Sequence, residues 1–180
     1  MISVPLVTTL LLFPQLAFGH GGGLDAKGCH QNRETGEYHC HHKEKYGDVL
    51  GTASVIDGDT LEIRGTRIRL HGIDAPESAQ LCHQNGTPWR CGQQAALQLS
   101  EFIGRTTISC EHRNTDRYGR IVATCFLGSQ DLNRWMVSEG WALAYRQYSA
   151  DYIIDEAAAK AAGQGVWTSQ FEAPWLWRRR

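Results

Sequence analysis

From Ala53 to Ile73 the chain places apolar residues at alternate positions, with Ala53, Val55, Leu61, Ile63, Ile68, Leu70 and Ile73 separated by polar neighbours. That is the period of strands with one buried face, and it commits this stretch to a sheet. Arg64-Gly65-Thr66 interrupts it with the chemistry of a hairpin connection. Between Gly92 and Gly104 the period changes: Ala95, Leu99, Phe102 and Ile103 recur at i, i+4, i+7 and i+8, the stripe of an amphipathic helix ended by Gly104. Strand character returns at 106–111 and 120–126, with Asn114-Thr115-Asp116 and Tyr118-Gly119 supplying turn residues between. Asp131 is placed to cap a helix with Leu132, Trp135 and Met136 inward, stopping at Gly140. Asp151 is placed to cap another that runs through the alanines to Gly163.

Three strands, a helix, two strands and two helices make an α+β chain, with the layout of a five-stranded OB-type β-barrel and about three helices. The alternation begins at Val49, and what precedes it is different. Residues 1–19 carry no Lys, Arg, Asp or Glu, and an apolar run from Leu6 to Leu12 leads to the small-x-small pattern Ala17-Phe18-Gly19. This reads as a signal peptide cut after Gly19, the alternative being an uncleaved anchor, although the run is short for a bilayer. Residues 20–48 are Gly- and His-rich, hold five of the eight histidines and lack the periodicity of a core, so they form an appended Cys/His segment. The barrel domain is expected over 49–168, and an aromatic and basic tail over 169–180, where Trp175, Trp177 and Arg178-Arg179-Arg180 either pack back on the barrel, stay solvated or contact nucleic acid.

Six cysteines in an exported chain suggest disulfides. Cys82 with Cys91 and Cys110 with Cys125 each bracket a turn and are paired within themselves. Cys29 and Cys40 stand among His30, His39, His41 and His42, which leaves two readings: a disulfide closing a small loop, which export favours, or a Zn²⁺ site built from thiolate and imidazole. A formal net charge of -1 argues against a tight, non-specific nucleic-acid coat protein, while an enzyme that releases a polyanion needs less positive charge.

The chemistry-bearing residues fall in two clusters. Ile56-Asp57-Gly58-Asp59-Thr60 is followed by Arg69-Leu70-His71-Gly72-Ile73-Asp74-Ala75-Pro76-Glu77. Arg69 points to the face opposite Ile68 and Leu70 and needs a partner. Asp59, Asp74 and Glu77 supply carboxylates near the ends of consecutive strands, hard oxygen donors suited to Ca²⁺. Either piece alone is ordinary turn material. The second cluster, Asp116-Arg117-Tyr118-Gly119-Arg120, would by itself offer only a solvated arginine at a strand start.

In combination and order, IDGDT, IRLHGIDAPE, TDRYGR and VSEGWA resemble the staphylococcal nuclease (thermonuclease) family over roughly Gly51 to Trp167. The resemblance implies that Asp59, Asp74 and the backbone carbonyl of Ala75 hold Ca²⁺, that Glu77 is the general base, and that Arg69 and Arg120 grip the phosphate. It implies DNA and RNA as substrates, products with the phosphate on the 3′ side, and Tyr118, Tyr145 and Tyr148 as residues near the bound nucleotide. Two departures stand out: Ala75 occupies a position where the family often has Thr, and a segment holding Cys82 and Cys91 replaces a lysine-rich loop of the type member.

The leading expectation is therefore a secreted or periplasmic bacterial Ca²⁺-dependent nuclease, not stably attached to a membrane after cleavage of its signal and with no protein partner evident. A binding module that kept the barrel without turnover is the alternative from another class, and the intact set Arg69, Glu77 and Arg120 argues against it. A third reading makes the histidine segment the functional part, delivering metal from a barrel scaffold.

Overall fold

The computed structural model describes residues 29–31, 38–40 and 49–180. The chain divides into two units between residues 43 and 44. In the first, β1 (Cys29–Gln31) and β2 (Tyr38–Cys40) form an antiparallel pair whose register sets Cys29 opposite Cys40. The side chains of that pair, and with them the choice between disulfide and Zn²⁺ site for Cys29, His30, His39, Cys40, His41 and His42, lie outside the described residues. So does the signal peptide expected over 1–19. No helix among the described residues is long and apolar enough to cross a membrane.

The second unit is a curled sheet closed by one bent strand run. β3 (Val49–Thr52) and β4 (Ser54–Asp57) are consecutive, broken only at Ala53. β3 pairs with β10 (Thr107–Thr115) on one edge, and β4 pairs with β5 (Thr60–Ile63) on the other. Between those edges β5 pairs with β6 (Thr66–Leu70), β6 runs parallel to β11 (Ile121–Leu127), and β11 returns antiparallel to β10. The five strand runs thus curl into the expected OB-type barrel, in an α+β architecture. Arg64 and Gly65, both at positive φ, make the tight β5–β6 hairpin.

The alternating residues land as their period requires. Leu61, Ile63, Ile68 and Leu70 are buried, together with Ile108, Ala123 and both cysteines of the Cys110–Cys125 disulfide. Each fully buried Leu or Ile contributes about 1.5–3 kcal/mol relative to exposure. Helix α1 (Cys91–Ile103) covers one end of this core with Ala95, Leu99 and Ile103, and stops at Gly104 as its stripe indicates. β12 (Gln130–Asp131) leads into α2 (Leu132–Ser138), where Asp131 accepts the Arg134 amide as expected of a cap.

Two local expectations are corrected. β10 extends to Thr115, through the residues expected to turn, because a register shift between His112 and Asn114 lets Asn114 and Thr115 pair with Val122 and Ile121. Asp151 does not cap α3 (Ile153–Ala162): the capping position is Tyr152, which makes no side-chain cap bond, and the Asp151 amide instead donates to Ser149 Oγ.

Two short strand pairs and a C-terminal turn frame the site. β7 (Ile73–Asp74) pairs with β13 (Leu143–Ala144), and β8 (Cys82–Gln84) pairs with β9 (Thr87–Trp89) in a hairpin closed by the Cys82–Cys91 disulfide. Both disulfides expected in this domain are therefore formed. The C-terminal segment ends in the single turn α4 (Pro174–Trp177), with Trp167, Phe171, Ala173 and Trp175 packed around Cys82, Cys91, Leu143 and Val166.

Candidate active site

Asp59 sits where β4 turns into β5, its amide accepted by Asp57 Oδ1 at 3.1 Å. The turn can lie against the 74–77 loop because residue 58 is glycine: a Cβ there would stand 2.7 Å from that of Ala75 and 3.0 Å from that of Ala95. Asp59 Oδ2 then accepts the Ala75 amide at 2.8 Å, and Oδ1 accepts the Thr60 hydroxyl at 3.1 Å. β7 delivers Asp74, which is fully buried. Its partner strand is held in turn by buried Glu156, which accepts the Ala144 amide at 2.9 Å and pairs with Arg146 at 2.5 Å.

Arg69 joins the two aspartates. Its guanidinium pairs with Asp59, donates to Asp74 Oδ1 at 2.7 Å and reaches the Asp59 carbonyl at 3.3 Å. Burial disfavours its charge, but Asp59, Asp74 and Asp57 outweigh that and raise its pKa above the ordinary value. The partner expected for Arg69 is thus this pair of carboxylates.

Glu77 lies three residues beyond Asp74, in a loop fixed from two sides. Gly92, at the start of α1, packs so tightly on it that a Cβ would fall 1.8 Å from the Glu77 carbonyl oxygen. Buried Gln80 accepts the Glu77 amide at 3.2 Å and returns its own amide to the Glu77 carbonyl at 2.7 Å. Neither Gly92 nor Gln80 carries a sequence signal of function, since each acts through a backbone contact.

Arg120 stands just before β11, and the β6–β11 register (Val122 opposite Arg69) puts it on the same sheet face as Arg69. Its Nε donates to Asp116 Oδ2 at 2.7 Å, while Asp116 Oδ1 accepts the Tyr118 and Arg120 amides at 2.9 and 3.0 Å. Burial raises the Asp116 pKa, but these donors outweigh it and hold the carboxyl below its ordinary value. Tyr118 is 69% exposed, with its hydroxyl accepting from Arg117 at 2.7 Å. Tyr145 and Tyr148 meet edge to face at 4.9 Å, with Trp175 stacked on Tyr145 at 5.4 Å.

The largest surprise is the tail. Arg178 enters the site: Nη1 donates to Asp74 Oδ1 at 3.0 Å and Glu77 Oε1 at 2.5 Å, and Nη2 to Asp74 Oδ2 at 2.8 Å. Nothing in a terminal Arg-Arg-Arg run distinguishes this residue from its neighbours.

The electrostatics of the site are those of an anion-rich pocket. Burial, and then the Asp59 charge, push Asp57 up to about 7. Burial likewise raises Asp74, against the lowering effect of Arg178. Asp57, Asp59, Asp74 and Glu77 face two guanidiniums, and every donor atom is a hard oxygen, a set that fits Ca²⁺ and not a thiophilic metal. Among the described residues no group of three His, Cys, Asp or Glu side chains stands in a metal-holding arrangement. Asp74 and Glu77 are turned onto Arg178, and Asp59 onto Arg69 and the Ala75 amide.

A curled five-stranded barrel with a partly buried arginine bridging two strand-end aspartates, and a third carboxylate in the following loop, defines an OB-type domain with a candidate hydrolytic site. The family model described as "Staphylococcal nuclease homologue" matches residues 67–169, and the chain belongs to that family. It is 41% identical to the succinoglycan biosynthesis protein ExoI of Rhizobium meliloti (strain 1021), over 69% of this chain and 67% of that protein. It is 31% identical to an uncharacterized endonuclease of Escherichia coli, over 74% of this chain and 87% of that one. It is also 31% identical to a micrococcal nuclease of Shigella flexneri, over 69% and 77%.

Proposed function

We propose that this protein is an exported Ca²⁺-dependent endonuclease that hydrolyses phosphodiester bonds of DNA and RNA and leaves 3′-phosphates. The observation that carries the reading is Arg69 held between Asp59 and Asp74, with Glu77 fixed in the next loop. Family membership and relatives named endonuclease and micrococcal nuclease support it.

Asp59, Asp74 and the Ala75 carbonyl would hold Ca²⁺. The bound ion would supply a Lewis acid for the phosphoryl oxygen. Glu77 orients a water and takes its proton as the oxygen attacks phosphorus, while the P–O5′ bond breaks and the departing 5′-oxygen takes a proton from solvent, so that the phosphate stays on the 3′ side. Arg69 and Arg120, on one sheet face, meet the charge that grows on the five-coordinate phosphorus, where a guanidinium fork matches two oxygens at once. Tyr118, Tyr145 and Tyr148 border the nucleotide and offer ring faces for bases.

Export follows from the charge-free residues 1–19, read as a cleaved signal, and agrees with the two buried disulfides of the barrel domain. Residues 20–48 form the appended Cys/His segment, with a Cys29–Cys40 disulfide favoured over a Zn²⁺ site; 49–168 is the catalytic barrel and 169–180 its tail.

The test is degradation of single-stranded DNA and RNA by the mature protein in Ca²⁺ or chelator, beside Glu77→Gln. Cleavage should require Ca²⁺ and fall by at least about a hundredfold in the variant. Folded protein that binds strands without cutting them would replace the enzyme with a binding module.

A further inference from the structure

We infer that the C-terminal segment is a built-in competitor for the divalent cation, with the Arg178 guanidinium occupying the carboxylates that Ca²⁺ must use. The inference rests on the calcium reading above. Both oxygens of Asp74 and one of Glu77 accept from Arg178 at 2.5–3.0 Å, and Asp74 Oδ1 also accepts from Arg69. Asp74 is wholly buried, so its carboxylate has no solvent face from which a second cation could approach. With Arg69 already on Oδ1, a divalent ion can reach this carboxylate only along the edge that Arg178 holds, and the two cations repel each other at contact distance in a site of low dielectric.

The segment is built to place this arginine. Its root is tied down, since His83 and Gln170 exchange backbone hydrogen bonds at 2.8 Å and Gln80 Nε2 holds the Glu172 carbonyl at 2.6 Å. Pro174 then opens the single turn α4, Trp175 stacks on Tyr145, and Arg178 follows one turn later at the carboxylates. The same strap therefore covers a tyrosine proposed to border the nucleotide and the carboxylates proposed to hold the metal. Beyond Glu172 it is held by the packing of Ala173, buried Pro174 and Trp175, by the Arg178 bridge and by an Arg180–Glu172 pair at 2.6 Å, none of them a strand pairing, so release needs no unfolding of the barrel. Because cation and strap exclude each other, each must weaken the other by the same factor.

Calcium affinity of the full mature chain, measured by titration calorimetry, tests this directly. Arg178→Gln should bind Ca²⁺ on the order of tenfold more tightly than the parent, as removal of a competing closed state requires. Arg179→Gln removes the same charge from the neighbouring residue and should leave affinity near the parent's. Trp175→Ala keeps the arginine but removes the ring stacked on Tyr145, and should shift affinity in the direction of Arg178→Gln. In the parent, Ca²⁺ should lower the hydrogen-exchange protection of the Leu176, Trp177 and Arg178 amides, which are bonded within the turn. Equal, measurable affinities in parent and Arg178→Gln would overturn the inference alone, as would an equal gain in Arg179→Gln. Absence of Ca²⁺ binding by every variant would overturn it together with the calcium reading.

Discussion

Gln80 Nε2 donates to the backbone carbonyl of Glu172 at 2.6 Å, joining the loop that carries Glu77 to a segment 92 residues further along the chain. The same buried side chain accepts the Glu77 amide, so one residue sets both the candidate base and the root of the strap. Gln80→Leu keeps the volume and strands both backbone groups. It should cost about 1–3 kcal/mol in a denaturant titration, and nuclease turnover should fall further than stability alone explains. Unchanged turnover in the folded variant would show that Glu77 is positioned by other contacts.

Asp116 holds Arg120 through both carboxylate oxygens. Asp116→Asn retains an acceptor for the Tyr118 and Arg120 amides but removes the charge facing Arg120 Nε. A loss on the order of tenfold in kcat/KM is expected from the misplaced guanidinium, with stability moved by no more than about 1 kcal/mol, since the pair is partly exposed. Equal kcat/KM in variant and parent would mean that Arg120 finds its place unaided.

The barrel is legible in the sequence because its cause is local. A period of two names Leu61, Ile63, Ile68 and Leu70 as core, and the structure buries all four. The helix stripe of Ala95, Leu99 and Ile103 is legible for the same reason. The long β10 is not, because the shift at His112 and Asn114 that carries it through turn-forming residues depends on its partner strand. Asp151 fails as a cap because α3 starts one residue later, with Tyr152 in the capping position. In the site, Asp59, Arg69 and Asp74 come together as their motifs indicate. Gln80, Gly92 and Arg178 act through contacts distant in sequence or through backbone shape, which no composition or spacing records.

The two disulfides of the barrel domain should separate by function. Both pairs are buried, close short loops and should each stabilise by about 2–4 kcal/mol. Cys110–Cys125 joins β10 to β11 within the sheet, so Cys110→Ala with Cys125→Ala should lower Tm and leave kcat nearly intact at a temperature where the variant is folded. Cys82–Cys91 lies between the Glu77 loop and α1, and its double alanine variant should lower kcat as well. The reverse pattern of turnover would place the catalytic constraint in the sheet.

Asp57 gives the stability a defined pH dependence in chelator. The folded protein holds this proton up to about pH 7, because burial and the Asp59 charge oppose ionisation, whereas the unfolded chain releases it near 3.8. Between those values the folded state binds more protons than the unfolded state, so the contribution of Asp57 falls as pH rises through that window. Asp57→Asn removes the ionisation and keeps an acceptor for the Asp59 amide. Its Tm should lie near the parent's at about pH 4 and increasingly above it towards about pH 8. Saturating Ca²⁺ should narrow the gap, because a cation beside Asp59 favours the charged form of Asp57. A Tm difference that stays constant across the range would show that Asp57 ionises normally in the folded protein, and that the charge of the site is balanced without it.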